Sequence, residues 1–255
     1  MLVLAVESAT ELAGVALADE AGVIAVATTS RGRRHAESIV PSVALVCDRA
    51  GTSVRALDGV CVDVGPGLFT GLRVGIATAK ALAFALGIPV VTATSLEVLA
   101  QALCGAGAAM GSLLVPVVDA RRGEVFCARF RVTSRDAGDI VQVGDGDIVQ
   151  VGEDLLCSPE DLVAFLSQLV EPFVLAGDGV LRYVEMLGEL PGARLASAAL
   201  ASPPVDVLAT IGVARLRAGL GLDAAKIAPR YLREADARIN WEQRLPPREP
   251  SRTVF

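Results

Sequence analysis

Three stretches of the chain carry residue types able to do chemistry. Glu7 ends an apolar run and Thr10 follows it. Asp119 ends a second apolar run just ahead of Arg121 and Arg122. The third stretch, Gly65-Pro66-Gly67-Leu68-Phe69-Thr70-Gly71-Leu72-Arg73, joins an apolar segment to one rich in small residues. A strand-end carboxylate beside a hydroxyl can position a metal-bound water or a phosphate. A glycine-rich turn at a helix start can hold an anion on free backbone N–H groups. The phosphate cradle GxxxxGK[ST] is not met, because no Lys-Ser/Thr pair follows Gly71; the dinucleotide pattern GxGxxG fails at Thr70, where its third glycine belongs. Spacing alone therefore favours a structural turn. Glu7, with no second acid beside it in the chain, reads as a turn carboxylate capping backbone donors. Asp119 reads either as part of a phosphate clamp with Arg121 or as a surface ion pair.

Other chemistries are restricted by what the chain lacks. His35 is the single histidine, so an HExxH zinc site has one ligand too few, and no GxSxG elbow supports serine-histidine catalysis. His35, with Glu37 close behind, reads as an interaction or helix-start residue. The cysteines (Cys47, Cys61, Cys104, Cys127 and Cys157) are scattered without a CxxC pair and read as buried thiols in a reducing cytoplasm. The net charge of −6 argues against unaided tight binding to nucleic acid.

The elements that must position these residues follow from apolar periodicity. At 255 residues with 53% hydrophobic and 20% charged residues, the chain has ample material for a core. Leu2 to Glu7, Gly14 to Ala18 and Val23 to Ala27 read as an antiparallel meander. A helix over 37–49 follows, with Ile39 and Val43 on its apolar face and Pro41 in its first turn or at a kink. Val60 to Val64, the glycine loop, a helix to Leu86 and a strand from Ile88 to Thr92 form a β-loop-α-β unit. That second helix has Gly75 and Ala79 four apart, a small-residue face that another helix can approach, flanked by Arg73 and Lys80. It carries two charges and is shorter than the roughly 20 residues a membrane span needs, so a soluble protein is expected. A further helix runs from Ser95, without the acidic half of a capping box, to about Leu103.

A glycine- and alanine-rich stretch, 105–111, reads as a boundary, and the order then restarts. Leu113 to Val118 and Glu124 to Val132 are strands. Ser158-Pro159-Glu160-Asp161 caps a helix, Phe173 to Ala176 is a strand, and Gly177-Asp178-Gly179 is a turn into a helix to Leu187. The repeated order of strands, helix, strand, Gly-x-Gly turn and helix implies an internal duplication. The expected division is a first subdomain over 1–105, on which the helix of 205–219 can pack, and a second over 112–204. A flexible tail is expected over 236–255. The repeat Asp139-Ile-Val-Gln-Val-Gly144, recurring at 147–152, reads as a slipped duplication without chemistry.

The segments AVESATELAGVALAD, RRHAES, GPGLFTGLRVGIATAKALA, DARRGEVFCARF, GDG and PRYLR together resemble the TsaB (YeaZ) family, over nearly the whole chain to about Arg233. The resemblance implies a duplicated α/β fold of the actin and Hsp70-like ASKHA (ribonuclease H-like) class. It also implies a cytoplasmic, noncatalytic dimerization subunit of the machinery that makes tRNA threonylcarbamoyladenosine. Catalysis then belongs to a paralogue, TsaD, met through N-terminal helices, and an ATPase, TsaE, joins them. By the same resemblance, tRNA is reached only through the complex, the free chain can pair with itself, and no metal or membrane is involved. The family usually has Asp where Glu7 stands and Ser where Leu68 stands, so Glu7, Thr10, Asp119, Arg121, Gly177 and Gly179 are expected to form at most a vestigial phosphate site. ATP or ADP would bind weakly or only within the complex. His35, Glu37, Ile39, Val43, Arg73, Gly75, Ala79 and Lys80 become the expected partner face, and Gly65, Pro66, Gly67, Phe69, Thr70 and Gly71 the loop behind it. The alternative is a free-standing ASKHA ATPase or phosphotransferase using Glu7 and Asp119.

Overall fold

The computed structural model describes residues 1–30, 35–133 and 147–232. The first copy of the DIVQVG repeat and the tail beyond Asp236 lie outside the described residues. The first half runs β1 (Val3–Glu7), β2 (Ala13–Asp19), β3 (Gly22–Thr29), α1 (His35–Arg49), β4 (Gly59–Asp63), α2 (Phe69–Leu86), β5 (Val90–Ala93) and α3 (Ser95–Gly105). The second runs β6 (Leu113–Arg121), β7 (Glu124–Cys127), β8 (Phe130–Thr133), β9 (Asp147–Gln150), β10 (Leu155–Cys157), α4 (Pro159–Leu166), β11 (Phe173–Ala176), α5 (Asp178–Arg182), α6 (Val184–Leu187), β12 (Ala193–Leu195) and α7 (Val205–Arg217).

The first sheet has the order β3-β2-β1-β4-β5, with the meander antiparallel and β4 and β5 parallel to β1. The main path of the second, β10-β7-β6-β11-β12, repeats that order, with β6 in the place of β1 and β11 in the place of β4. The two sheets therefore share one topology, which is the duplicated ASKHA-type α/β fold. Both central strands are fully buried and lack alternation, as expected where helices cover both faces of a sheet.

Helices α1 and α2 pack on one face of the first sheet through Ile39, Val43, Val46, Ile76, Ala79 and Ala83. Helix α7 covers the other face through Val205, Leu208, Ala209, Ile211 and Val213. Helix α3 lies between the sheets, with Val98 in the core of the first and Leu96, Leu99 and Leu103 in that of the second. The side chain of Arg215 ties α7 to α3 by donating to the Glu97 carboxylate and to the Thr92 carbonyl. Among the described helices, α2 is long and apolar enough to cross a membrane by length and composition; here its inner face is part of the first core.

Four elements differ from the sequence reading. Thr94, one residue before the expected start, caps α3, so Glu97 falls at the third helical position and completes a capping box. Pro41 lies past the first turn of α1, where the ladder loses one N–H. The expected strand over 124–132 is divided into β7 and β8, because Pro116 on β6 stands opposite the break and offers no N–H to it. The helix after Gly179 is interrupted at Tyr183, whose φ and ψ of −117° and 33° leave the helical region.

Candidate functional site

The first candidate is the mouth between the halves, where the ends of β1, β4, β6 and β11 meet. Glu7 ends β1 and is fully buried. Its Oε1 accepts a hydrogen bond from Ala9 N at 2.7 Å, which is the turn-capping role its position suggested. It does not act alone: Asp63 ends the neighbouring parallel strand β4, equally buried, and accepts from Gly65 N at 2.7 Å and Ser95 Oγ at 2.9 Å through Oδ1. The remaining oxygens, Glu7 Oε2 and Asp63 Oδ2, have no other partner. Burial and the adjacent Asp63 carboxylate push the pKa of Glu7 well above the usual carboxylate range, which favours a proton held between the two acids. Asp63 is the acid that the sequence reading missed. Its signal was present, since both acids follow short apolar strands of a unit that makes those strands neighbours.

The corresponding corner of the second half is built differently. Asp119 Oδ1 accepts from Arg121 N at 2.9 Å, and Oδ2 receives Arg121 Nη1 at 3.1 Å and Arg182 Nη1 at 3.4 Å. Asp178 caps Asp119 N at 2.8 Å, and burial raises its pKa to about 6. Arg121 and Arg122 hold φ of 62° and 56°, in the left-handed region that side chains rarely occupy. Across the mouth, Arg121 Nη2 reaches Glu11 Oε1 at 2.6 Å, on the turn between β1 and β2. An exposed pair of this kind contributes about 0–1 kcal/mol; it nevertheless places two side chains across the mouth. Thr10 is turned inward to the Leu12 carbonyl. Gly177 and Gly179 approach β6 so closely that added Cβ atoms would lie 2.0 and 3.0 Å from Val117 O. They are packing glycines.

The glycine loop is likewise filled by its own protein. A Cβ at Gly67 would lie 2.2 Å from Ala9 O, which also accepts from Leu68 N at 2.6 Å. Ser8 Oγ donates to Gly71 O at 2.9 Å, and Gly75 stands against the same hydroxyl. Gly67→Ala is therefore expected to cost about 3 kcal/mol through overpacking, read as a thermal midpoint lower by roughly 6–12 °C. A change within a degree or two would show that the loop has room for a ligand.

The second candidate is the outer face of α1 and α2. Between them lies an apolar groove of about 540 Å³, lined by Val40, Val43, Ala44, Ala77, Ala81 and Leu82 among others. Val40 is 62% exposed and Leu45 48%. The expected residues on this pair of helices are divided by the packing. Ile39, Gly75 and Ala79 face the protein's own sheet, and Val43 forms the groove floor. The outward small-residue stripe is Ala77 and Ala81, two positions on from the expected one. His35 opens α1 and Glu37 lies exposed in its first turn. Lys80 Nζ donates to the carbonyls of Ile227 at 3.0 Å and Ala225 at 3.5 Å, holding the C-terminal segment.

The family model described as "TsaD: tRNA N6-adenosine threonylcarbamoyltransferase" matches residues 22–241. The tRNA threonylcarbamoyladenosine biosynthesis protein TsaB of Bacillus subtilis is 29% identical over 94% of this chain and 98% of the relative. The protein of the same name from Escherichia coli is 28% identical over 98% of this chain and the whole of the relative. The solved structure of YeaZ from Pseudomonas aeruginosa superposes with a TM-score of 0.73 at 28% identity, covering 91% of this chain and 99% of that one. The chain belongs to the TsaD family, in its TsaB/YeaZ branch.

Several of the segments that carry the TsaB resemblance meet in space. Phe69 and Arg73 of the glycine-loop motif join Tyr231 of PRYLR: Arg73 lies 3.8 Å over the Phe69 ring and donates to Tyr231 Oη at 3.1 Å, while the two rings sit 5.3 Å apart. Arg230 N donates to Val64 O at 2.7 Å. The DARR hairpin supplies the Arg121 that reaches Glu11. In this TsaB/YeaZ chain, Leu68 starts α2 without a side-chain cap, where serine would supply one.

Proposed function

We propose that this chain is a noncatalytic partner subunit in tRNA threonylcarbamoyladenosine biosynthesis, binding and shaping a TsaD-type catalytic paralogue through the α1–α2 face. The observation that carries this reading is the solvent-open apolar groove on α1 and α2, in a family whose curated members from B. subtilis and E. coli are named for that pathway. An apolar concavity lined by the exposed Val40, Ala77 and Ala81 favours a protein partner over water. A TsaE-type ATPase joins the complex, and tRNA is reached through it, consistent with the net charge of −6. When alone, the same face can pair with a second copy. Any ATP or ADP binds weakly or within the complex, because Glu11 and Arg121 bridge the mouth.

The rival reading, an ASKHA ATPase or phosphotransferase using Glu7 and Asp119, draws on the acids at equivalent strand ends. It asks Glu7 to leave its buried contacts with Ala9 and Asp63. Depleting the protein in its own cells is expected to remove threonylcarbamoyladenosine from tRNA nucleosides measured by mass spectrometry. Unchanged nucleoside levels would overturn the proposal, and ATP turnover by the isolated chain that Asp119→Ala abolishes would favour the rival.

A further inference from the structure

Of the five cysteines, Cys47, Cys61 and Cys104 are each buried in a different core cluster, whereas Cys127 and Cys157 share one. Cys127 stands opposite Leu155 and Cys157 opposite Val125 on the antiparallel strands β7 and β10. Two cysteines displaced by two positions across such a pair point to the same face as diagonal neighbours, roughly 7–8 Å apart. Cys127 is buried and Cys157 is partly exposed. The two thiols are coupled: Cys127 lowers the pKa of Cys157, and Cys157 together with burial raises that of Cys127. Among the described residues no group of three or more His, Cys, Asp or Glu side chains is placed to hold a metal, so these thiols lack the further ligands of a closed zinc site.

We propose that Cys127 and Cys157 form a hydroperoxide-sensitive thiol pair, in which Cys157 is oxidised first and Cys127 resolves it as a disulfide joining β7 to β10. In the first step the Cys157 thiolate attacks a peroxide oxygen. An S–O bond forms and the O–O bond breaks. Sulfur is oxidised to the sulfenic acid, and the departing oxygen takes the electron pair and a proton, leaving as water or an alcohol. In the second step the Cys127 sulfur attacks Cys157. The S–S bond forms, the S–O bond breaks, and the hydroxide leaves as water with the Cys127 proton. The peroxide is the only oxidant consumed. A disulfide needs Cβ atoms about 3.5–4.5 Å apart, so closing the bond requires β10 to move toward β7 by a few ångströms. Strand β10 is a three-residue edge strand, partly exposed throughout, separated from β9 by residues 151–154 outside the ladder.

The test treats the reduced full-length protein with hydrogen peroxide, blocks remaining thiols with iodoacetamide and maps the peptides. The expected product is a Cys127–Cys157 crosslinked peptide, lighter by two hydrogens and reversed by dithiothreitol. Cys157→Ser is expected to abolish it. Cys127→Ala should leave a sulfenic acid on Cys157 that dimedone traps. Should Cys127→Ala fail to fold, the wild-type protein still decides the matter: Cys157 should alkylate at least about tenfold faster than the other four cysteines at neutral pH. Retention of all five free thiols under peroxide, a crosslink to any other cysteine, or alkylation of Cys157 no faster than the rest would overturn the proposal.

Discussion

Ala81→Glu is expected to weaken binding to a TsaD-type partner by about a hundredfold or more while leaving the chain folded. Ala81 is exposed on α2 and lines the α1–α2 groove, so a longer side chain meets solvent in the free protein. In a complex that fills the groove, the same carboxylate must be desolvated without a cation. An uncompensated buried polar group costs about 1–3 kcal/mol and a charge more, and every 1.4 kcal/mol is tenfold in affinity. Ala79→Glu, two residues away, is the opposite control: Ala79 is fully buried against the first sheet, and the substitution should unfold the protein. Titration calorimetry with the copurified partner, alongside thermal melts of both variants, checks the pair. Equal binding by Ala81→Glu and wild type would remove the groove from the interface.

Glu7→Gln is expected to flatten the dependence of stability on pH. Burial and Asp63 raise Glu7's pKa well above its ordinary value, so the folded state holds a proton that the unfolded chain releases near pH 4–5. The folded state therefore binds more protons from the unfolded pKa up to the raised value, and the stability is fully present below the unfolded pKa. It is lost as the pH climbs through the raised value. Asp178, shifted to about 6, acts in the same direction, so Glu7→Gln removes part of the slope and not all of it. Glutamine keeps the length and an N–H for Asp63 without a proton to lose. At pH 8 the variant should exceed wild type by about 1.5–3 kcal/mol, the scale of a hydrogen bond to a charged group, while at pH 5 the difference should shrink or reverse. Parallel profiles would mean that Glu7 and Asp63 do not share a proton.

Much of the fold was legible because its strands are continuous apolar runs with turn residues between them. The order of elements around Glu7 and Asp119 repeats plainly enough to reveal the duplication. The partner face was harder to read. Helix α2 is apolar nearly all round, so periodicity marks several faces of small residues without saying which one meets the sheet; Gly75 with Ala79 and Ala77 with Ala81 fit the pattern equally well. Asp63 escaped because its partner lies in another strand, and only the parallel pairing of β1 with β4 puts the two acids side by side. The break between β7 and β8 depends on Pro116 across the sheet, which no local window contains. The bridge from Arg121 to Glu11 joins residues 110 apart, and an arginine beside a hairpin carries no sign of which acid it will reach.

The central claim is that this chain works by holding a catalytic paralogue and not by catalysing. Copurification from extract of the source cells tests it most directly, with the wild-type chain and Ala81→Glu as baits. The account predicts that wild type brings down a TsaD-type protein carrying the histidines this chain lacks, and that Ala81→Glu does not. Wild-type chain that recovers no such paralogue from cells expressing one would contradict it.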